Sequence, residues 1–119
     1  MKKIILFITT IMFLNSEIIV SNEIGKYSSQ NGSLLLKKSG NFFIDYGSST
    51  CIGEFTGKIV NRNKNILTIK SIVDNKNICT LQVKLYIKSF EVEEKNCAYY
   101  HGDRCDFNGI YTKEENFMQ

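Results

Sequence analysis

The 119-residue sequence contains no proline, only one histidine and no marked excess of charge of one sign. Proline cannot donate a backbone hydrogen bond, so a proline within a segment would argue against a central strand there. Because the sequence has none, no candidate strand is disfavoured on this ground. His101 has no second imidazole beside it, and no Gly-x-Ser-x-Gly segment is present, which disfavours nucleophilic serine catalysis. The 15 basic residues are scattered among 12 acidic ones, which disfavours nucleic-acid binding. We therefore predict a protein that is not an enzyme, uses no cofactor or metal and binds no nucleic acid.

The first residues have the pattern of a secretory signal. Lys2 and Lys3 follow Met1 and make a short basic start, and residues 4–14 form an apolar run broken only by two threonines. This run is shorter than the roughly 20 residues that a spanning helix needs. We predict a signal peptide at residues 1–21 with cleavage near Ser21 rather than Ser16, and a periplasmic or secreted bacterial protein without a stable membrane anchor. A buried amino-terminal element and a retained anchor are the alternatives.

Residues 22–119 are predicted to form a single β-barrel domain. Apolar and polar residues alternate with period two, most clearly at residues 78–86, where Cys79, Leu81 and Val83 share a face. Short polar turns between the segments predict an antiparallel meander. The predicted strands are residues 25–28, 33–37, 42–46, 51–60, 65–72, 78–86, 90–94 and 107–113.

Matching sequences at both ends of this domain suggest how the sheet closes. The first predicted strand contains Gly25-Lys26-Tyr27 and the last contains Gly109-Ile110-Tyr111, so both have a Gly-x-Tyr unit. Pairing of these two strands would close an eight-stranded barrel and remove the exposed sheet edges. Coincidence is the alternative, because glycine and tyrosine are common in strands. The predicted fold is all-β, a small antiparallel barrel with two disulfides.

Four cysteines follow the signal, and an even number in a small exported chain indicates a disulfide framework. We predict nearest-neighbour pairing. Cys51 and Cys79 face inward on two strands that could be close, and Cys97 and Cys105 flank a short polar loop. Zinc binding by Cys97, His101 and Cys105 is an alternative, because these residues are spaced by fours, although the intervening sequence is a poor helix.

The loop between the last two cysteines is the predicted partner-binding site. Tyrosine and arginine are enriched at interface hot spots, and a disulfide across the loop would order it before a partner arrives. The proposed partner-binding residues are Tyr99, Tyr100, His101, Asp103 and Arg104. The alternative is a structural role, in which Tyr99 or Tyr100 packs on the barrel end, His101 bonds to a loop carbonyl and Gly102 adopts a positive φ.

Residues 97–111 resemble the carboxy-terminal pattern of small exported bacterial proteins grouped with periplasmic lysozyme inhibitors. Other matching features are a Gly-x-Tyr unit, an apolar segment and two internal cysteines, namely Gly25-x-Tyr27, residues 32–36, Cys51 and Cys79. The resemblance implies a small periplasmic β-barrel that binds a wall-degrading enzyme. The Ser-Gly-x-x-Tyr and Tyr-x-x-x-x-Lys-Gly segments of C-type lysozyme inhibitors are absent, so no inhibitory residue is carried over.

These observations predict a non-enzymatic, exported protein-binding module, with an inhibitor or immunity factor against a cell-wall hydrolase as its specific form. A first alternative is a carrier of one small apolar ligand, which an eight-stranded barrel can enclose. A second is a secreted ribonuclease that uses His101 and Arg104, although the sequence offers no further acid or base beside them.

Overall fold

The computed structural model describes residues 21–49, 51–102 and 105–115. The predicted signal peptide, apart from Ser21, lies outside the described residues. So do two members of the predicted binding loop, Asp103 and Arg104. The account below concerns the described part of the chain.

Eight strands form the protein, and each overlaps one of the eight predicted from the alternation of apolar and polar residues. A 3₁₀ turn at Ser21–Glu23 precedes the first strand, and a single helical turn, α1, occupies Ala98–His101. The strands are β1 Gly25–Ser28, β2 Gly32–Leu36, β3 Asn41–Gly47, β4 Ile52–Asn63, β5 Ile66–Ser71, β6 Thr80–Leu85, β7 Ser89–Lys95 and β8 Gly109–Lys113.

The sheet closes on itself, as the fold prediction required. Every consecutive pair of strands is antiparallel, and β1 also pairs with β8, with Tyr27 opposite Lys113 and Ser28 opposite Thr112. The result is an eight-stranded up-and-down barrel. Because each strand has a neighbour on both sides, the barrel leaves no sheet edge open for pairing with another chain.

The two Gly-x-Tyr units have the same local structure. Gly25 and Gly109 adopt φ angles of 149° and 146°, which residues with a side chain rarely adopt. Two residues later a buried tyrosine donates its hydroxyl proton to the carbonyl four residues upstream, Tyr27 to Glu23 at 2.8 Å and Tyr111 to Phe107 at 2.9 Å. This hydrogen bond resembles the tyrosine corner of β-sandwiches. It fastens the start of the first and the last strand to the core.

Burial of these two tyrosines also raises the pKa of their hydroxyls. Desolvation, with a smaller effect from the nearby Glu23 carboxylate, raises the pKa of Tyr27 to about 12. Desolvation also raises the pKa of Tyr111. Both hydroxyls therefore stay protonated and remain hydrogen-bond donors throughout the neutral pH range.

Inward-facing side chains fill the barrel. Tyr27 stacks on Phe90 with ring centroids 3.9 Å apart, and Phe55 makes edge contacts with Phe42 and Phe107. These aromatic rings bring large apolar areas into a small interior, where burial of a side chain contributes about 1.5–3 kcal/mol. The other buried apolar residues are Leu34, Leu36, Ile44, Ile59, Leu67, Ile69, Leu81, Val83, Leu85, Val92 and Tyr111.

The two ends of the barrel differ. At one end lie residues 29–31, 48–49, 51 and 72–79, together with the described residues of the long connection between β7 and β8. We call the described part of that connection, residues 96–102 and 105–108, the cap, and this end the cap end. At the opposite end lie residues 21–24, 37–40, 64–65, 86–88 and 114–115.

All four cysteines form disulfides, but the nearest-neighbour pairing is wrong. The bonds are Cys51–Cys105 and Cys79–Cys97. Cys51 and Cys79 are both buried, as predicted. They do not meet because β5 lies between β4 and β6. Each is reached instead from the cap. With both sulfurs bonded elsewhere, Cys97 and Cys105 are not available as zinc ligands.

The observed pairing has a measurable consequence for stability. By loop entropy, Cys51→Ser with Cys105→Ser should lower the free energy of unfolding by about 4 kcal/mol, and Cys79→Ser with Cys97→Ser by about 3 kcal/mol. Urea unfolding of the two double variants tests this order. Peptide mapping without reduction should recover Cys51 linked to Cys105, and a peptide linking Cys97 to Cys105 would contradict the structure.

Candidate functional site

The cap is held over the barrel end at both flanks of α1. Cys97 precedes the helix and is bonded to Cys79, immediately before β6. Cys105 follows the helix and is bonded to Cys51, immediately before β4. A segment attached at two places loses much of its conformational freedom before any partner binds. The side chains of α1 are therefore presented in fixed positions.

Tyr100 ties α1 to the connection between β5 and β6. Its hydroxyl lies 2.6 Å from the Asn77 carbonyl oxygen, to which it donates, and 3.3 Å from the Ser71 hydroxyl. Its ring contacts the edge of Phe55 in the core, with centroids 6.4 Å apart. Tyr100 is thus a packing residue of the cap.

His101 forms the second polar tie. Its Nε2 lies 2.9 Å from each carboxylate oxygen of Glu94 in β7, and its Nδ1 faces the Gly102 carbonyl. Glu94 also accepts the backbone N–H of Phe107 at 2.6 Å. The His101 side chain is only 4% exposed. The single histidine therefore makes internal contacts. Through them the Glu94 carboxylate bonds to both α1 and the segment that follows it.

Close packing of the cap depends on Gly53 in β4. A Cβ atom at this position would lie 2.7 Å from the His101 Cβ, 3.3 Å from its Cα and 3.1 Å from the Phe107 ring. Phe107 is fully buried and closes the top of the core. Only a residue without a side chain lets α1 and Phe107 come this close to the strand.

On its outer side the cap end exposes apolar side chains. Tyr99 on α1 is 63% exposed and its ring lies against Tyr100, while Val73 in the adjacent connection is 68% exposed. Ile72 and Ile78 in the same connection are also exposed. We call Tyr99, Ile72, Val73 and Ile78 the apolar cap patch.

Hydrogen bonds within residues 72–79 hold this connection in shape. The Asn77 side-chain amide donates to the Asp74 carboxylate at 2.9 Å, and the Lys76 backbone N–H donates at 2.8 Å. These bonds, with a smaller one from the Tyr99 hydroxyl, lower the pKa of Asp74. The contact between Tyr99 and Asp74 places the helix and the connection side by side.

The cap half of the barrel is acidic. When the described residues are divided at the strand midpoints, six carboxylates and three lysines lie on the cap side, namely Asp45, Glu54, Asp74, Glu93, Glu94 and Asp106 against Lys70, Lys76 and Lys95. Asp45 and Glu54 stand directly opposite each other on β3 and β4. Like charges in this position are destabilising. The apolar cap patch therefore lies in the acidic half of the barrel.

The structure separates the predicted binding residues into different environments. Tyr99 is exposed, whereas Tyr100 and His101 are engaged in the internal contacts above. That these residues, with Asp103 and Arg104, bind a partner stays a prediction. Sequence reasoning missed Ile72, Val73 and Ile78 as surface residues. The available signal was an apolar pair beside the polar turn 74–77, which the assignment of Ile72 to a strand concealed.

Two searches of the described residues gave negative results. Residues 21–49, 51–102 and 105–115 contain no group of three histidine, cysteine or carboxylate side chains placed to hold a metal ion. Within the same ranges no helix has the length and apolar character needed to cross a membrane.

Removal of the Glu94 carboxylate tests the internal tie. Glu94→Ala leaves the His101 ring and the Phe107 N–H without their acceptor, and should lower the free energy of unfolding by about 2–4 kcal/mol. Glu93→Ala removes the neighbouring, outward-facing carboxylate and should change stability by less than about 0.5 kcal/mol. Urea denaturation measures both. Equal effects of the two substitutions would show that the His101–Glu94 contact does not hold the cap.

A substitution at Gly53 tests the fit of the cap. Gly53→Ala should destabilise the protein by about 1–3 kcal/mol, because the added methyl group must displace α1 or Phe107. Gly47→Ala is the matched control, since a Cβ atom there meets nothing within 4 Å. Thermal unfolding should separate the two variants, and an unchanged midpoint for Gly53→Ala would refute the close approach.

No known protein family, curated protein or solved structure matches this chain.

Proposed function

We propose that this protein is a non-enzymatic, exported binding module whose apolar cap patch contacts a protein partner, and that the partner is a cell-wall hydrolase. In this proposal the protein acts as an inhibitor or immunity factor, in the periplasm or outside a bacterial cell. The observation that carries the proposal is the apolar cap patch, which joins Tyr99 of the cap, a segment anchored by two disulfides, to exposed residues of the adjacent connection.

The exposed side chains support a protein partner. An apolar group surrounded by polar and charged residues is typical of interaction surfaces. Tyr99 is of a residue type enriched at hot spots, and it projects from a helical turn that the Cys79–Cys97 bond fixes in place. Because the patch is ordered beforehand, binding would cost little conformational entropy.

Charge supports a hydrolase as that partner. A wall polymer carries carboxylates, so an enzyme that binds it is expected to have a basic substrate cleft. The six carboxylates of the cap half would attract such a cleft and accelerate the encounter. The resemblance of residues 97–111 to periplasmic lysozyme inhibitors supports the same class of partner.

The packing of the barrel interior and the burial of His101 each argue against one of the two alternatives. Eight strands enclose a space that side chains can fill, and here aromatic and aliphatic residues occupy it, which argues against a carrier of an apolar ligand. The ribonuclease alternative requires an accessible His101. Its side chain is 4% exposed and contacts Glu94, which argues against contact with a phosphate.

The two disulfides support an exported protein. Disulfides form and persist in oxidising compartments such as the periplasm and the extracellular space. Both bonds attach the cap to the barrel. A reducing compartment would therefore release the segment that carries Tyr99.

An inhibition assay tests the proposal. The purified protein should slow the clearing of a peptidoglycan suspension by at least one hydrolase of a panel with different bond specificities. Tyr99→Ser with Val73→Ser should raise the half-inhibitory concentration by about thirtyfold or more, as expected for loss of a hot spot. The matched control is Ile87→Ser, which removes a 94% exposed apolar side chain from the opposite end and should inhibit like the wild type.

Two outcomes would contradict the proposal. If no hydrolase of the panel is slowed, the assignment of the partner is wrong. If the Tyr99 and Val73 variant inhibits as well as the wild type, while circular dichroism shows both to be folded, the apolar cap patch is not the binding surface.

A further inference from the structure

The end of the barrel opposite the cap carries a protruding apolar residue. Ile87, at the tip of the turn between β6 and β7, is 94% exposed, and its neighbour Tyr86 is 47% exposed. An isoleucine side chain that is almost fully exposed to water does not stabilise the fold. Its position at a convex tip differs from that of the apolar cap patch, which lies beside a helix.

Basic residues lie around this tip, together with carboxylates. Ile87 borders one recess with Lys88, Lys113, Glu114 and Glu115, and another with Arg62, Asn65 and Glu23. The turn that contains Lys64 is adjacent, since the Leu85 N–H donates to the Asn65 carbonyl at 2.7 Å. The Lys84 ammonium lies 5.8 Å from the centre of the Tyr86 ring. An aliphatic tip, a phenol ring and several ammonium groups thus share one surface.

This half of the barrel is basic, in contrast to the cap half. Nine basic residues and four carboxylates lie on this side of the strand midpoints, namely Lys26, Lys37, Lys38, Lys58, Arg62, Lys64, Lys84, Lys88 and Lys113 against Glu23, Glu91, Glu114 and Glu115. Charges that are scattered along the sequence are therefore separated between the two ends of the fold. We call this half the basic end.

Most carboxylates of the basic end are already paired. Glu23 meets Arg62 at 2.7 Å, Glu114 meets Lys26 at 3.9 Å and Glu115 meets Lys88 at 3.0 Å. Among the residues that the structure describes, no carboxylate lies within ion-pair distance of Lys38, Lys64 or Lys84. The charge left over at this end is positive.

We propose that the basic end docks reversibly on an anionic lipid bilayer. In this arrangement Ile87 enters the boundary between headgroups and acyl chains, Tyr86 lies at the interface, and the surrounding lysines contact anionic headgroups. Tyrosine is favoured at this depth because its ring is apolar and its hydroxyl polar. The contact would be weak and sensitive to salt, unlike a membrane anchor.

Two observations favour a bilayer over a soluble polyanion or a protein. A polyanion would use the lysines but would leave Ile87 in water, whereas a bilayer accommodates both. A protruding tip also suits a soft surface that deforms around it.

The orientation is compatible with the proposed function but does not depend on it. With the basic end on a bilayer, the cap end would point away from the surface and the apolar cap patch would remain accessible. Each surface can fail its own test without affecting the other, since hydrolase inhibition is measured without lipid.

Sedimentation with vesicles tests the proposal. The protein should bind vesicles of phosphatidylglycerol and phosphatidylcholine at low ionic strength, and should bind pure phosphatidylcholine much less. Ile87→Ser should lower the partition coefficient about tenfold, and Lys64→Gln about fivefold. Ile52→Ser removes an 81% exposed isoleucine from the cap end and should bind like the wild type. All variants share the same amino-terminal segment, so differences report on the barrel.

Fluorescence gives a second measurement, because the sequence contains no tryptophan. Ile87→Trp should shift its emission to shorter wavelength on anionic vesicles and should be quenched by a lipid-borne quencher, whereas Ile52→Trp should show neither effect. Wild-type binding by Ile87→Ser, or equal binding to neutral and anionic vesicles, would overturn the proposal. The proposal would also be overturned if the same concentration of soluble polyphosphate released both the wild type and Ile87→Ser from the vesicles. That result would assign the basic end to a polyanion.

Discussion

Attachment of the cap to the barrel is the constraint on which the rest of this structure depends. Two disulfides join the residues on either side of α1 to two different strand connections. The Glu94 carboxylate also bonds to both His101 and the Phe107 N–H. Phe107 then closes the core from above. Because covalent and polar contacts act on the same few residues, the cap end is expected to be rigid although it consists mostly of loops.

This internal use of polar groups determines which chemistry remains available. The only histidine of the sequence and its carboxylate partner satisfy each other below the surface, and Tyr100 is hydrogen-bonded to the connection beside it. Among the described residues, Tyr99 on α1 and Ile72, Val73 and Ile78 in the adjacent connection are exposed apolar side chains.

The up-and-down barrel also gives the protein two surfaces of opposite charge. Strands that alternate in direction bring their connections to two ends only, so residues far apart in sequence collect at each end. Among the described residues, carboxylates predominate in the half that carries the apolar cap patch, and basic residues predominate in the half that carries Ile87. A protein with a small net charge therefore has two ends of opposite charge in the part of the chain that the structure describes.

The sequence by itself determined the strands, because alternation of apolar and polar residues depends only on neighbours along the chain, and the two Gly-x-Tyr units predicted closure. The sequence could not determine the disulfide pairing. Cys51 and Cys79 both face inward, but β5 separates their strands. Nor could it determine that His101 is buried against Glu94, or that charges segregate by end. These features arise only when the cap folds over the barrel and places distant residues in contact.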